Sequence, residues 1–107
     1  MNPNQAPSPA ELENLAGQIT YQPDKFTYQT IFERDGQKVL LFAFAAGQEL
    51  KTHITPHPAL LTMLEGSCVF HINGIAQTLT TGAVISIPAK VPHSLSAVSD
   101  FKMLLFR

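Results

Sequence analysis

Apolar and polar residues alternate with a period of two along most of this chain, in nine short segments rich in β-branched and aromatic residues. Such alternation is typical of β-strands that bury one face, because successive side chains point to opposite sides of a strand. This pattern leaves room for almost no helix after about residue 19. The predicted strands are Phe26–Phe32, Val39–Ala45, Leu50–Thr55, Leu60–Glu65, Cys68–Ile72, Ile75–Leu79, Val84–Ile87, His93–Ala97 and Phe101–Phe106.

Turn-forming residues separate the predicted strands. Asn73-Gly74 gives the strongest signal, because both central residues of a two-residue hairpin turn need a positive φ. Short strands that recur every eight to twelve residues and are joined by turns predict an all-β sandwich or a closed barrel. The other turn signals are Asp35-Gly36, Gly47, Gly66, Gly82 and Asp100.

The beginning of the chain has a different composition. Residues 1–10 contain three prolines and no apolar pattern, which predicts an extended N-terminal arm. Ser8-Pro9-Ala10-Glu11 then has the residues of a capping box, so a helix of one or two turns is expected to begin there and to end at Gly17. Residues 11–107 are predicted to form a single domain.

Charge and cysteine content exclude several classes of partner. The formal net charge is −1 and the sequence has no basic stripe, so neither nucleic acid nor a membrane surface is an expected partner. A single cysteine, Cys68, excludes an intrachain disulfide and predicts a reducing, cytoplasmic location. Only 14% of the residues are charged, and together with the apolar segments Phe26–Phe32 and Val39–Ala45 this predicts a homodimer that covers apolar surface.

The four histidines form the only reactive set that the sequence offers. The chain has no Gly-x-Ser-x-Gly elbow, no glycine-rich phosphate loop after a strand and no pair of carboxylates with catalytic spacing. Cys68 lies in the middle of an apolar strand, where a cysteine usually serves as a small core residue. The histidines are His53, His57, His71 and His93.

Two groups of residues resemble the two motifs of the cupin superfamily. In the first, Gly47 precedes His53 by six positions and Leu64-Glu65-Gly66 follows; in the second, Gly82 is followed by Pro88, Lys90 and His93. The resemblance extends from Val39 to Phe106. It implies an antiparallel jelly-roll β-barrel, commonly dimeric, that often holds one divalent metal ion in the barrel mouth.

The resemblance implies a metal site that is incomplete in this chain. The first motif of the family usually supplies two histidines two residues apart and a glutamate four residues later. Here His53 holds the first of these positions, but Thr55 and Ala59 hold the others. His93 holds the histidine position of the second motif. A transition-metal site needs three or four ligands, so the two histidines alone predict weak binding of Zn, Ni or Fe, or no metal at all.

His57 is the candidate for a third ligand. Four residues of a regular strand span about 13 Å, so His57 reaches an ion at His53 only if Pro56 bends the chain back over the mouth. The alternative is a histidine on the rim that faces solvent. For His71, alternation predicts the face opposite Cys68 and Phe70, which points it out of the barrel.

The predicted ligand-binding residues are His53, His93, Met63 and Leu61. Met63 and Leu61 share the parity of position 59, which faces the ligand in related barrels, although ordinary core packing is the favoured explanation for both. An apolar cavity with a few polar groups is typical of a small-molecule site.

Three functions follow from this reading. The chain is expected to bind a small molecule in a cupin barrel whose divalent-metal site is incomplete. The first alternative is a metal-dependent cupin enzyme, a dioxygenase or isomerase acting on a small polar substrate. The second is a structural dimer without chemistry. Fold alone does not choose among them, because one fold hosts many activities.

Overall fold

The computed structural model of the chain describes residues 14–107, which form nine β-strands and one short 3₁₀ turn. The first and last residues of each strand differ by at most two positions from those of a predicted segment. The strands are β1 (Thr27–Arg34), β2 (Gln37–Phe44), β3 (Glu49–His53), β4 (Ala59–Glu65), β5 (Ser67–Ile72), β6 (Ile75–Thr80), β7 (Val84–Ile87), β8 (His93–Ala97) and β9 (Phe101–Phe106).

The strands form two antiparallel sheets that face each other. One sheet has the order β1-β2-β9-β4-β7 and the other has the order β3-β8-β5-β6. The prediction of an all-β, jelly-roll fold is confirmed, although the two sheets stay separate instead of joining into one closed barrel. The described residues include no helix long and apolar enough to cross a membrane.

The hairpin turns have the backbone that their sequences predict. Asn73 and Gly74 have φ angles of 53° and 73° and connect β5 to β6, so that Ile72 pairs directly with Ile75. Asp35 and Gly36 adopt the same conformation between β1 and β2. Positive φ at both central residues matches the turn to the right-handed twist of the strands.

The prediction of a helix that ends at Gly17 is wrong for the residues that the structure describes. The described residues contain only a four-residue 3₁₀ turn, Leu15–Gln18, and Gly17 lies inside it instead of ending a longer helix. The side chain of Asn14 caps the turn by accepting a hydrogen bond from the Ala16 amide at 2.9 Å. The proposed helix start at Ser8 and the arm at residues 1–10 lie outside the described residues.

The main core fills the space between the two sheets. It is built around an aromatic stack in which the ring of Phe44 lies 4.6 Å from Phe26 and 4.7 Å from Phe101. Cys68 is fully buried in the same core, and burial raises the pKa of its thiol to about 11. The thiol is therefore protonated at neutral pH, which fits a core residue and not a nucleophile.

A second, smaller core lies on the outer face of the five-stranded sheet. Ile19 packs there against Leu41, Ala43 and Leu104, with partly buried Leu15 and Tyr21 beside them. Together these contacts hold the segment from Leu15 to Tyr21 against the central strands β2 and β9.

Polar contacts fix the same segment. Lys102 on β9 donates to the Ala16 carbonyl at 2.5 Å and lies 3.3 Å from the Glu65 carboxylate. The Tyr21 hydroxyl donates to the same carboxylate at 2.8 Å. Burial and the hydrogen bond to Glu65 raise the pKa of Tyr21. Lys102 is almost fully buried, so these partners compensate for the removal of its charge from water.

Candidate functional site

His53 and His93 lie side by side at one end of the sandwich. His53 is the last residue of β3 and His93 is the first residue of β8, and the two are direct cross-strand partners. Their ring centroids are 4.3 Å apart with the planes tilted by 59°. The structure thus brings together the two histidines that the motif resemblance singles out.

A main-chain carbonyl fixes the tautomer of each ring. Nδ1 of His53 lies 3.0 Å from the Lys51 oxygen, and Nδ1 of His93 lies 2.9 Å from the Val91 oxygen. Because a carbonyl oxygen only accepts, Nδ1 of each neutral ring carries the hydrogen. The Nε2 atom of each ring therefore holds a lone pair that is able to accept a hydrogen bond or ligate a metal ion.

The two Nε2 atoms remain available. Neither has a hydrogen-bond partner among residues 14–107, and no buried side-chain nitrogen or oxygen in that part of the chain lacks a partner. Both Nε2 atoms are therefore in reach of water. His93 is nonetheless 5% exposed and stacks on Phe70 with ring centroids 5.9 Å apart, whereas His53 is half-buried.

Leu61 and Met63 point into the space between the sheets, as their parity predicts. They are 1% and 2% exposed and belong to the main core. The sulfur of Met63 lies 3.8 Å from the Cys68 thiol, which donates to it. This burial is that of packed core residues, and their role in binding a ligand stays a prediction.

The residues do not form a complete metal centre. No group of three or more histidine, cysteine, aspartate or glutamate side chains with metal-binding geometry occurs among the described residues. His57 is exposed and lies in the loop after β3, apart from such a group. The Nδ1–carbonyl contacts of His53 and His93 are of the kind that orients metal-ligating histidines, but two ligands are too few for tight binding.

His71 lies on the outer face of the four-stranded sheet. It is exposed and pairs with Ser94 on β8, while its neighbours Phe70 and Cys68 are buried in the core. Alternation along β5 therefore predicts its orientation correctly, and His71 does not line the barrel interior.

A small cavity at the same end was missed by sequence reasoning. Its volume is about 230 Å³, and it lies between the β1–β2 turn, the β3–β4 loop and the residue after β9. The signal that points to it is alternation: Lys38 lies two positions before Leu40, and Arg107 lies two positions after Leu105. Its lining residues are Gly36, Lys38, Thr55, Pro56, His57 and Arg107.

Two antiparallel sheets of jelly-roll type, with a histidine pair at one end, define a small protein of the jelly-roll barrel class. The sequence model of the family described as "Cupin domain" matches residues 40–106. Since this match covers more than half of the 107 residues, the chain belongs to the cupin family.

Solved structures agree with this assignment. A conserved protein of unknown function from Streptococcus pyogenes is 30% identical, with a TM-score of 0.83 over 91% of this chain and 85% of that chain. An RmlC-like cupin protein from Desulfovibrio desulfuricans is also 30% identical, with a TM-score of 0.78 over 88% and 92% of the two chains.

A cupin superfamily protein from Desulfitobacterium hafniense shows the same fold at 24% identity, with a TM-score of 0.83 over 97% of this chain and 91% of that chain. Among proteins of curated function, none matches the chain significantly.

Proposed function

We propose that this cupin binds a small molecule at the barrel mouth through the Nε2 atoms of His53 and His93. The observation that carries the proposal is the pair of Nδ1–carbonyl contacts at 3.0 and 2.9 Å, which place the hydrogen of each neutral ring on Nδ1 and leave Nε2 without one. Both rings then offer an acceptor, so the matching ligand group is a donor such as a hydroxyl or an ammonium.

A metal-dependent enzyme is the second candidate. The same Nδ1–carbonyl contacts favour it, because histidines that ligate metals usually donate their other N–H to a fixed acceptor. The donor set weighs against it, since a third protein ligand is lacking among the described residues. We therefore derive no reaction step through a metal ion.

The histidine pair is tested by NMR of the full chain labelled with ¹⁵N, at a pH where the rings are neutral. We expect His53 and His93 in the Nδ1–H form and the exposed His57 and His71 mainly in the Nε2–H form that water favours. On titration with Zn²⁺ as a probe of the two lone pairs, the signals of His53 and His93 should shift together. H53A should weaken this binding at least tenfold, because one of two ligands is lost.

The control is H71A, which removes a histidine on the opposite face and should leave Zn²⁺ binding unchanged. Zinc shifts at His57 or His71 alone, or an Nε2–H form of His53 and His93, would contradict the proposal. Native mass spectrometry of the purified protein separates the two candidate functions. A co-purifying organic molecule supports small-molecule binding, and a stoichiometric metal ion supports the enzyme.

We also propose that two copies of the chain associate through the outer face of the five-stranded sheet. Phe32, Val39, Phe106 and Leu60 are successive cross-strand partners and form an apolar row across β1, β2, β9 and β4. Phe32 is 59% exposed and Leu60 39% exposed, and a groove of about 430 Å³ runs beside them. A second copy fits this row because a sheet face related by two-fold symmetry pairs with itself.

Light scattering at micromolar concentration should give the mass of a dimer. F106E replaces an apolar ring in the row by a charged group and should weaken association at least tenfold, because the carboxylate must lose its water when the two faces meet. I75E is the matched control, since Ile75 is 57% exposed but lies in the β5–β6 hairpin of the other sheet. A monomeric mass for the unaltered chain, or equal weakening by both variants, would contradict this interface.

A further inference from the structure

Two cationic side chains and one histidine line the small cavity between the β1–β2 turn and the β3–β4 loop. Lys38 comes from the start of β2, His57 from the β3–β4 loop and Arg107 from the end of β9. Among the described residues, none that lines the cavity has an acidic side chain. Among residues 14–107 the ion pairs join Arg34 to Asp35 and Lys102 to Glu65, so Lys38 and Arg107 form no ion pair with a side chain of that part of the chain.

The fold holds the two cations close together. The amide of Lys38 donates to the Arg107 oxygen at 2.6 Å, and the amide of Arg107 donates to the Lys38 oxygen at 2.9 Å. These reciprocal bonds make the two residues directly opposite partners, whose side chains leave the sheet on the same face. Like charges in that arrangement repel each other, so an anion bound between them would be stabilising.

Lys38 and Arg107 line this cavity and also the neighbouring groove beside Phe106. Leu40 and Leu105 point into the main core, and alternation places Lys38 and Arg107 on the same face one step further out. Glu33 is the cross-strand partner of Lys38 on its other side, but it does not line the cavity and forms no ion pair with Lys38.

The opposite wall of the cavity is fixed by hydrogen bonds. The Thr55 hydroxyl donates to the His57 oxygen at 2.9 Å, and the Lys90 amide donates to the Thr55 oxygen at 2.8 Å. Thr55 and His57 follow His53 by two and four residues, so this wall is continuous with the strand that carries the histidine pair. The lining of the cavity therefore begins two residues after His53 along the chain.

We propose that this cavity binds the oxyanion group, a carboxylate or a phosphate ester, of a small anionic molecule. The inference rests on the proposed function and adds the chemical class of the ligand: an anion at Lys38 and Arg107, with a donor group directed at the histidines. Arg107 supplies a planar, bidentate fork for an oxyanion, and Lys38 supplies a point charge. A volume of about 230 Å³ is enough for the charged end of such a molecule and not for a polymer.

The test is an NMR titration of the full chain with sodium phosphate and, separately, with sodium acetate, at constant ionic strength maintained with sodium chloride. Amide signals of Gly36, Thr55 and His57 should shift saturably with at least one of the two anions. K38Q/R107Q should weaken this binding at least tenfold. K25Q/K51Q removes the same total charge from exposed lysines elsewhere and should change it less than twofold.

The two anions distinguish the sources of the oxyanion. Tighter phosphate binding supports phosphate esters, and equal or tighter acetate binding supports carboxylates. Identical shifts in chloride alone, or unchanged binding by K38Q/R107Q, would overturn the inference.

H53A/H93A separates this result from the histidine site. If His53 and His93 fail the zinc titration while phosphate still saturates the cavity of this variant, the proposed function falls and the oxyanion site stands. If zinc binds and neither anion does, only the oxyanion site is overturned.

Discussion

Replacing Gly66 by alanine should lower the free energy of unfolding by about 4 kcal/mol, a large part of the stability of a domain of this size. Gly66 connects β4 to β5 with a φ of +77°, a conformation that costs other residues about 1–2 kcal/mol. A Cβ atom there would lie 2.0 Å from the Asp100 oxygen and 2.7 Å from the Phe101 Cα. Since both are main-chain atoms at the start of β9, the strand itself must move.

Gly74 provides the matched control for this variant. Its φ is +73°, but an added Cβ would meet nothing within 4 Å. G74A should therefore lower the free energy of unfolding only by the cost of the positive φ, about 1 kcal/mol. Urea denaturation of the two variants measures the difference, which isolates the steric contact with β9. Equal losses would show that β9 yields without cost and would contradict the explanation.

F44A should lower the free energy of unfolding by about 3–5 kcal/mol. Phe44 has no exposed surface, and its ring is stacked between Phe26 and Phe101 at centroid distances of 4.6 and 4.7 Å. Removing the ring leaves a cavity between two elements that hydrogen bonds hold in register, so the core is unable to collapse fully around it. F44L keeps part of the side-chain volume and should lower the free energy of unfolding by less than F44A.

Y28A is the comparison for the core variant. Tyr28 stacks on Phe42 at 5.4 Å, but it is 61% exposed and has a partner on one side only. Y28A should lower the free energy of unfolding by at most about 1 kcal/mol, because most of the surface of Tyr28 already contacts water. Denaturation midpoints of F44A and Y28A that lie close together would argue against a core centred on Phe44.

Local physics explains why the strands were predictable and the N-terminal turn was not. Alternation in β5 follows from its one buried face, whereas the apolar run of β2 follows from the burial of both of its faces. The Asn73-Gly74 turn follows from its backbone preference. The turn at Leu15–Gln18 has only four residues, which gives no helical periodicity. Its position depends instead on Lys102, whose contact with Ala16 joins residues far apart in the sequence.

The candidate site divides in the same way. The resemblance to cupin motifs singles out His53 and His93, and the structure places them as cross-strand partners. Lys38 and Arg107 carry no motif, and their proximity depends on the pairing of β2 with β9, which sequence patterns do not specify. The position of His57, which forms no three-residue metal-binding group with His53 and His93, depends likewise on the path of the irregular β3–β4 loop.

The pairing of β9 with both β2 and β4 has a consequence for how the chain is assembled during synthesis. The last of the nine strands occupies the centre of the larger sheet, between β2 and β4. These two strands form no hydrogen bonds with each other, and each pairs with residues 101–106 instead. Until those residues leave the ribosome, both strands present unpaired edges, which are the surfaces that aggregate. Folding of the larger sheet therefore waits for β9, and we expect it to be slow because contacts of β9 with β2 and β4 join residues far apart in the sequence.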